Sequence, residues 1–400
     1  MKIVHVSLSN RGGGAEIAAM RHSEALRIAG FDSTLISFKG VEQEGCVVLG
    51  QDRLNWFVSA LLFRFIKMFR DPGLAWDSLI FGKNILGNKN ISEADIVILH
   101  YINGFLNYKT IRQLLKSGKH VIWFMHDMWP MTGGCHHALE CKAYMKNCEN
   151  CPQLSWMKSL SKWQFNRKKR LLLNTNLYAV SPSRWLAERL MKSALFVNKK
   201  IMVCPNVLNT DIYMPLDKKV AREKLGLDKD KKYILFGAAA MGSAYKGMSY
   251  AYKVLEMLDP NYKFIVLGKL LNDEYPACLQ TRTHELGFVY EDKQKALVYS
   301  AVDVFLITSV AENFPNMIIE AMACGTPVVG FATGGIVEQV KHQENGYLAS
   351  VGDVEELRKG IDWVFLNNKS GKLSEAARHF VQSTCSYSKV GELYAPLLKW

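Results

Sequence analysis

The sequence predicts two doubly wound α/β domains, each a parallel sheet with helices on both faces, from three observations. Short β-branched apolar runs recur along the chain and close on glycine or a polar turn. Helical patterns separate them, which is the signature of βαβ units whose strands are buried on both faces. The whole alternation then restarts after a polar, Lys-rich interval from Asn206 to Lys232, and 400 residues exceed what one hydrophobic core organises.

In chain order, "KIVHVSL" opens the first domain and runs into the glycine turn "NRGGGAE", from which a helical pattern extends over Glu16 to Ala29. "STLISF", "DIVILH", "HVIWFMHD", "NLYAVSPS" and "IMVCPN" supply its further strands. "KYILFGA", "KFIVLG", "VDVFLITS" and "TPVVGF" are the strands of the second domain. A boundary close to Pro205 gives an N-terminal domain over 1–205 and a C-terminal domain over 206–384. After Ser374 the pattern reads as a helical pair ending "SYSKVGELYAPLLKW", so that a crossover helix over about 385–400 returns to the first domain. No internal repeat of solenoid length is present.

Composition bounds the function. The chain is 49% hydrophobic and 22% charged without a low-complexity tract, which excludes intrinsic disorder. Its net charge of +13 suits anionic partners: phosphates, nucleic acid or an acidic membrane surface. The opening "MKIVHVSLSNRGGGAE" has no h-region or small-residue cleavage site, so a cytoplasmic protein is expected. The longest apolar stretch, "LNWFVSALLFRFIKMFR", is interrupted by Arg64, Lys67 and Arg70 and does not read as a membrane span. Its Trp56, Phe57, Phe63 and Phe65, interleaved with cations, suit either an interfacial helix or a buried one. Together with "KWQFNRKKR" it predicts peripheral attachment to anionic membrane.

In open α/β sheets ligands bind beyond the carboxyl ends of the strands, at loops and helix N-termini. Gly12, Gly13 and Gly14 stand at such an end and would let a ligand approach the backbone amides; a tight turn with no ligand fits them equally. Lys246 and Gly247 in "YKGMSYAYKVLEML" open a helix, where the ammonium adds to the positive helix end. "HVIWFMHDMW" leaves His126 and Asp127 at the rim of the first sheet. "SVAENFPNMIIEAMACGTPVVGFATGG" carries Glu312 in a loop closed by Pro315, a residue suited to a helix start, and Glu320 about a turn into the helix. Both carboxylates are able to accept hydrogen bonds from hydroxyl groups, and both are able to serve as cap and solvated charge instead.

Joined, these motifs resemble one family. "AENFPNMIIEAMACGTPVVGFATGGIVEQVKHQENGYLASVGDVEEL", with "LGFVYEDKQKALVYSAVDVFLITS" and "YKG" before it and "GGGAE" and "MHD" in the first domain, is similar to the retaining glycosyltransferases of family four. The resemblance implies a GT-B fold, two Rossmann-like domains facing across a cleft. It also implies transfer of a sugar from a nucleotide diphosphate sugar with retention at the anomeric carbon. By position, Glu312 resembles the carboxylate on donor-sugar hydroxyls, with the segment Asn313, Phe314, Pro315 and Asn316 and its backbone amides, Pro315 excepted, beside it. Glu320 resembles the ribose ligand, Lys246 the cation on the diphosphate, and His126 the histidine near the reacting sugar. Thr333, Gly334 and Gly335 form the glycine turn at the donor, with Gly13 and Gly14 opposite. One departure stands out: Ala239 and Ala240 lie where the family places an arginine for the diphosphate.

The resemblance implies no catalytic metal. It implies an acceptor that is an oligosaccharide or a lipid-linked saccharide, in cell-surface polysaccharide synthesis at the inner face of the cytoplasmic membrane. A sugar-nucleotide epimerase or hydrolase shares the architecture. A basic, zinc-bearing nucleic-acid-binding protein is the alternative of another class; Glu312 and Glu320 oppose a polyanion, and no nucleic-acid partner is expected.

Nine cysteines in a reducing compartment argue for thiols that are buried, metal-bound or idle. Four of them, Cys135, Cys141, Cys148 and Cys151, fall in the insert 133–152 and match the ligand count of a structural zinc site, with His136 or His137 able to replace a thiol.

Overall fold

The computed structural model describes residues 1–50, 73–237, 242–268 and 275–398, together with 61, 64, 66, 68, 70 and 71. The chain divides into two compact units, Met1–Asn206 with Val390–Trp400, and Val207–Lys389.

The first unit is a seven-stranded parallel sheet of order β3-β2-β1-β4-β5-β6-β7. Its strands are β1 (Lys2–Ser9), β2 (Asp32–Lys39), β3 (Cys46–Val48), β4 (Ile96–Leu99), β5 (His120–Phe124), β6 (Tyr178–Ser181) and β7 (Lys200–Val203). The order reverses direction at β1/β4, the switch point at which doubly wound sheets place ligands. Side chains alternate across the sheet, so Val4 and Val6, Val97 and Leu99, and Val121 and Trp123 enter one core. The opposite parity carries Ile3, Ile98, Ile122 and Phe124, all buried. It also carries His5 and, just past the strands, His100 and His126. That face packs against the helix Gly14–Ile28, through His22, and the returning helix Val390–Leu398, whose Tyr394 meets His22.

The second unit is a six-stranded parallel sheet of order β10-β9-β8-β11-β12-β13. It consists of β8 (Lys232–Gly237), β9 (Tyr262–Leu267), β10 (Thr283–Glu285), β11 (Val304–Ile307), β12 (Val328–Phe331) and β13 (Gly346–Ala349). Leu235, Ile265 and Phe305 enter one core and Ile234, Phe236, Phe264 and Leu306 the other, the pattern that makes these runs apolar without alternation. Burying each such side chain contributes roughly 1.5–3 kcal/mol before chain entropy is counted.

Both doubly wound sheets are the ones the sequence predicts. The three strands it does not reveal, β3, β10 and β13, are short and lie at sheet edges. Most of "LNWFVSALLFRFIKMFR", including Trp56, Phe57, Phe63 and Phe65, and the pair Ala239 and Ala240 lie outside the described residues. Among the described residues no helix is long and apolar enough to cross a membrane.

Candidate active site

In the second unit β11 ends at Ile307, and the loop after it carries Glu312 to the helix Asn316–Ala323, with Pro315 as N-cap residue. Two hydrogen bonds fasten this loop to the turn holding Lys246. Val310 N–H donates to the Tyr245 carbonyl at 2.8 Å, and Thr308 Oγ1 donates to the Lys246 carbonyl at 3.3 Å. Gly247 follows in a left-handed conformation, φ +64°, and a Cβ there would collide with the Thr308 carbonyl, so a side chain would force the two segments apart. The result is an ion pair between residues distant in sequence: Lys246 Nζ to Glu312 Oε1 at 2.5 Å, with Ser309 Oγ donating to the same oxygen at 2.9 Å. Burial acts to lower the Lys246 ammonium pKa, but the attraction of Glu312, aided by Tyr245 and the hydrogen bond, leaves it raised.

The glycine turn after β12 holds Glu312 from the other side. Thr333 Oγ1 donates to the Val310 carbonyl at 2.9 Å and Gly335 N–H to the Glu312 carbonyl at 3.0 Å. Gly334 has φ +56°, and a Cβ there would collide with that same carbonyl. Gly334→Ala is therefore expected to displace the Glu312 loop, lowering stability by roughly 1–3 kcal/mol and turnover with it. A thermal melt beside a rate measurement checks this; an unshifted melt with full turnover would remove the turn from the support of Glu312.

Asn313 and Phe314 are buried in the loop, and Asn316 begins the helix. Glu320 is 3% exposed, and its Oε2 accepts from Tyr299 Oη at 3.0 Å. Burial, with the Glu320 charge second, drives the Tyr299 phenol far above its ordinary pKa.

In the first unit Gly12, φ +110°, turns the chain out of β1; Gly13 caps the helix and Gly14 is its first residue. Glu16 in the first turn packs back on Gly13, where a Cβ would lie 2.5 Å from Glu16 Oε2. Burial pushes the Glu16 carboxyl up, and the charge of Asp127 adds to this against its backbone hydrogen bond and Lys39. The "GGGAE" and "MHD" segments therefore share one end of the sheet.

His126 stands at the end of a row. Its Nε2 lies 2.9 Å from His100 Nδ1, and His100 Nε2 lies 2.8 Å from His5 Nδ1. The three rings stack. Their placement follows from register: His5 pairs with Ile98, and Ile98 with Ile122, so His100 and His126 step along one face toward the carboxyl edge, two and four residues beyond those partners. Burial lowers His126 to about 4 against a smaller upward pull from Asp127, and lowers His5 to about 3.

Asp127 takes a different partner. Its Oδ2 meets His136 Nδ1 at 2.7 Å, while His136 Nε2 meets Asp77 Oδ2 at 2.8 Å. Burial acts to lower His136, but the two carboxylates outweigh it and raise the imidazole to about 10. With both ring nitrogens engaged, His136 is not available to replace a cysteine as a metal ligand. Asp77, His5 and His100 escaped sequence reasoning; the signals were the histidines in the apolar runs "KIVHVSL" and "DIVILH".

Cys135 and Cys151 share a small apolar cluster with Trp76 and Leu154, Cys148 accepts from Gly133 N–H at 3.1 Å, and Cys141 is half-buried. Burial raises the Cys148 thiol to about 12. Among the described residues no three His, Cys, Asp or Glu side chains are arranged to hold a metal ion.

Residues 217–380 match the family described as glycosyl transferases group 1. An uncharacterized glycosyltransferase of Methanocaldococcus jannaschii is 32% identical over 177 residues, 41% of this chain and 45% of that protein. The D-inositol 3-phosphate glycosyltransferase of Mycobacteroides abscessus is 28% identical over 188 residues, 44% and 42% of the two chains. The matches thus span less than half the length of these relatives. Among solved structures, Anabaena HepE in complex with UDP-glucose superposes with a TM-score of 0.67 at 17% identity, over 100% of this chain and 99% of that one. WaaG, a glycosyltransferase involved in lipopolysaccharide biosynthesis, does so with a TM-score of 0.67 at 12% identity, over 100% of both chains. The match to glycosyl transferases group 1 thus falls within the second unit, in a chain whose two parallel-sheet domains have the GT-B fold.

Proposed function

We propose that the chain is a retaining glycosyltransferase that moves a sugar from a nucleotide diphosphate sugar to a saccharide acceptor, lipid-linked and destined for cell-surface polysaccharide. The observation that carries this reading is the Lys246–Glu312 pair, held by three chain segments at the carboxyl end of β11 inside the group 1 domain. As the glycosidic C–O bond breaks, the departing nucleoside diphosphate gains negative charge. Lys246 and the amides at the starts of the helices Met248–Glu256 and Asn316–Ala323 stabilise it, so this reading needs no catalytic metal. Glu312 accepts from hydroxyls of the transferred sugar, Glu320 from the ribose, and His126, with Gly13 and Gly14, serves the reacting sugar from the first domain. Retention follows if the acceptor attacks the face the diphosphate leaves and the diphosphate takes the acceptor's proton. HepE is a neighbour with UDP-glucose, so uridine sugars head the panel. Nucleotide-dependent thermal shifts followed by product detection test the reading; no shift with any nucleoside diphosphate and no transfer from any donor would remove it.

Peripheral attachment to anionic membrane is part of the proposal. The surplus of +13 supports it, as do Trp156 and Trp163, 62% and 42% exposed. "KWQFNRKKR" contributes less than its composition suggests. In the helix Ser159–Leu172 Phe165 and Lys168 are buried, and Lys162 pairs with Glu149 at 2.7 Å, leaving Lys169 and Arg170 exposed. Co-sedimentation with liposomes should rise with anionic lipid and fall with salt; indifference to vesicle charge would assign the surplus to another partner.

We also propose one structural zinc ion on Cys135, Cys141, Cys148 and Cys151. Thiol count supports it, as does the closeness by which the other three add to the rise that burial imposes on Cys135. Elemental analysis of protein purified without added metal should give near-stoichiometric zinc. Metal-free protein with four reactive thiols would leave them as ordinary buried cysteines.

A further inference from the structure

Two donors share one carboxylate oxygen in the Lys246–Glu312 pair. Lys246 Nζ and Ser309 Oγ both end on Glu312 Oε1, at 2.5 and 2.9 Å, and neither uses Oε2. The two donors are held differently. Ser309 is 2% exposed and stands between Thr308 and Val310, the residues whose hydroxyl and amide are tied to the Lys246 and Tyr245 carbonyls. Val310 is tied a second time, its carbonyl accepting from Thr333 Oγ1. A serine hydroxyl one carbon from such a backbone has little room to move. The ammonium of Lys246, on a four-carbon stem and 21% exposed at the side chain, is able to reach more than one anion.

We propose that Ser309 is a positioning residue that keeps the Glu312 carboxylate in place when a diphosphate draws Lys246 away from it. The ion pair then works as a handover. Before a diphosphate arrives, ammonium and hydroxyl together compensate the buried carboxylate. Once the ammonium turns to the phosphates, Glu312 loses its counter-charge just as a second anion enters, and repulsion between the two anions acts to rotate the carboxylate away. The Ser309 hydroxyl has a single proton and spends it on Glu312, so one charge-assisted hydrogen bond outlasts the ion pair and holds Oε1. Oε2 keeps its direction for a hydroxyl of the transferred sugar. This rests on the reading that the chain takes a nucleotide diphosphate sugar. It adds the residue that keeps Glu312 aimed after the donor has bound.

The test separates the hydroxyl from the ion pair and from turnover. Lys246→Met opens the pair with no diphosphate present, and a crystal structure of that variant should show Glu312 Oε1 still on Ser309 Oγ. Adding Ser309→Ala should let the carboxylate leave that position. With Lys246 intact, Ser309→Ala should lower kcat roughly tenfold to a hundredfold at little change in donor KM, and affinity for UDP by calorimetry should stay close to that of the wild type. Ser309→Thr and Ser309→Val, nearly one shape with and without the hydroxyl, should divide the same way, Ser309→Thr keeping most of the turnover. A carboxylate that turns away in Lys246→Met with Ser309 intact, one that stays in place in the double variant, or a folded Ser309→Ala protein with wild-type kcat overturns the proposal. A carboxylate held by Ser309 in Lys246→Met, in a protein that binds no nucleoside diphosphate and transfers no sugar, overturns the glycosyltransferase reading instead and leaves the hold of Ser309 on Glu312 standing.

Discussion

Lys246→Ala should lose both nucleotide affinity and turnover, whereas Glu312→Ala should hold or improve nucleotide affinity while turnover falls by about 10²–10³-fold. The asymmetry comes from the pair they form without ligand. Lys246 and Glu312 are in contact at 2.5 Å with side chains 21% and 11% exposed, so each is the other's principal counter-charge. A diphosphate entering beside Lys246 competes with Glu312 for the ammonium. Under the proposed function, removing Glu312 removes the competitor and leaves the cation for the phosphates, but removes the proposed acceptor for sugar hydroxyls that tightens in the transition state. Removing Lys246 leaves a carboxylate with its charge uncompensated where the diphosphate must sit. Glu320→Ala should weaken the free nucleoside diphosphate by roughly 1–3 kcal/mol, the cost of a desolvated ribose hydrogen bond. It also takes away the acceptor of the buried Tyr299 hydroxyl, so Glu320→Gln, which keeps an oxygen for Tyr299, separates ribose binding from stability. Calorimetry with nucleoside diphosphate and turnover with the matched donor decide the matter. If Glu312→Ala abolished nucleotide binding and Glu320→Ala spared it, the two carboxylates would exchange roles.

The parts of this site that were legible in sequence are those written in one contiguous segment. Glu312, Pro315, Glu320 and the glycines after β12 fall within one loop-helix-strand-turn unit, where spacing translates directly into geometry. Lys246 was visible as a cation at a helix start, yet its pairing with Glu312 across 66 residues was not, because it depends on how the Tyr245 and Lys246 carbonyls meet the Val310 amide and the Thr308 hydroxyl. The histidine row is harder still. Its members come from three strands that are neighbours only once the sheet order is known, and each looks like an isolated polar residue beside an apolar run. Asp77 and His136 lie 59 residues apart, each on a loop without periodicity. Among the elements, Thr283–Glu285 has no fully buried residue, which leaves an edge strand no apolar pattern to betray it.

Stability should hold a plateau from about pH 7 to 9 and fall steeply on acidification from pH 6.5 toward 4. Burial lowers His5 to about 3 and His126 to about 4 and holds His22 and His100 well below 6.5, with neighbouring imidazoles adding to the effect in the latter two. Below pH 6.5 the unfolded chain takes up protons at these four positions and the folded chain refuses them. Unfolding therefore becomes easier as pH falls, by about 1.4 kcal/mol per pH unit for each group that stays neutral in the folded chain and is protonated in the unfolded one. On the alkaline side two groups oppose each other. His136, raised to about 10, contributes stability present in full below 6.5 and lost as pH rises through 10. Lys168, which burial lowers to about 7, favours the folded state increasingly from there up to its unfolded value. Their slopes cancel over most of that window. Above about pH 9 the buried thiols Cys204 and Cys324, each pushed up to about 12, stay protonated while the unfolded chain ionises, and stability declines again. Melting temperatures from pH 4 to 10 check the shape, and His100→Phe should make the acid limb shallower by one group. A melt unchanged between pH 7 and 4.5 would mean that the histidine row takes up protons without unfolding, and the burial of that face of the sheet would have to be redrawn.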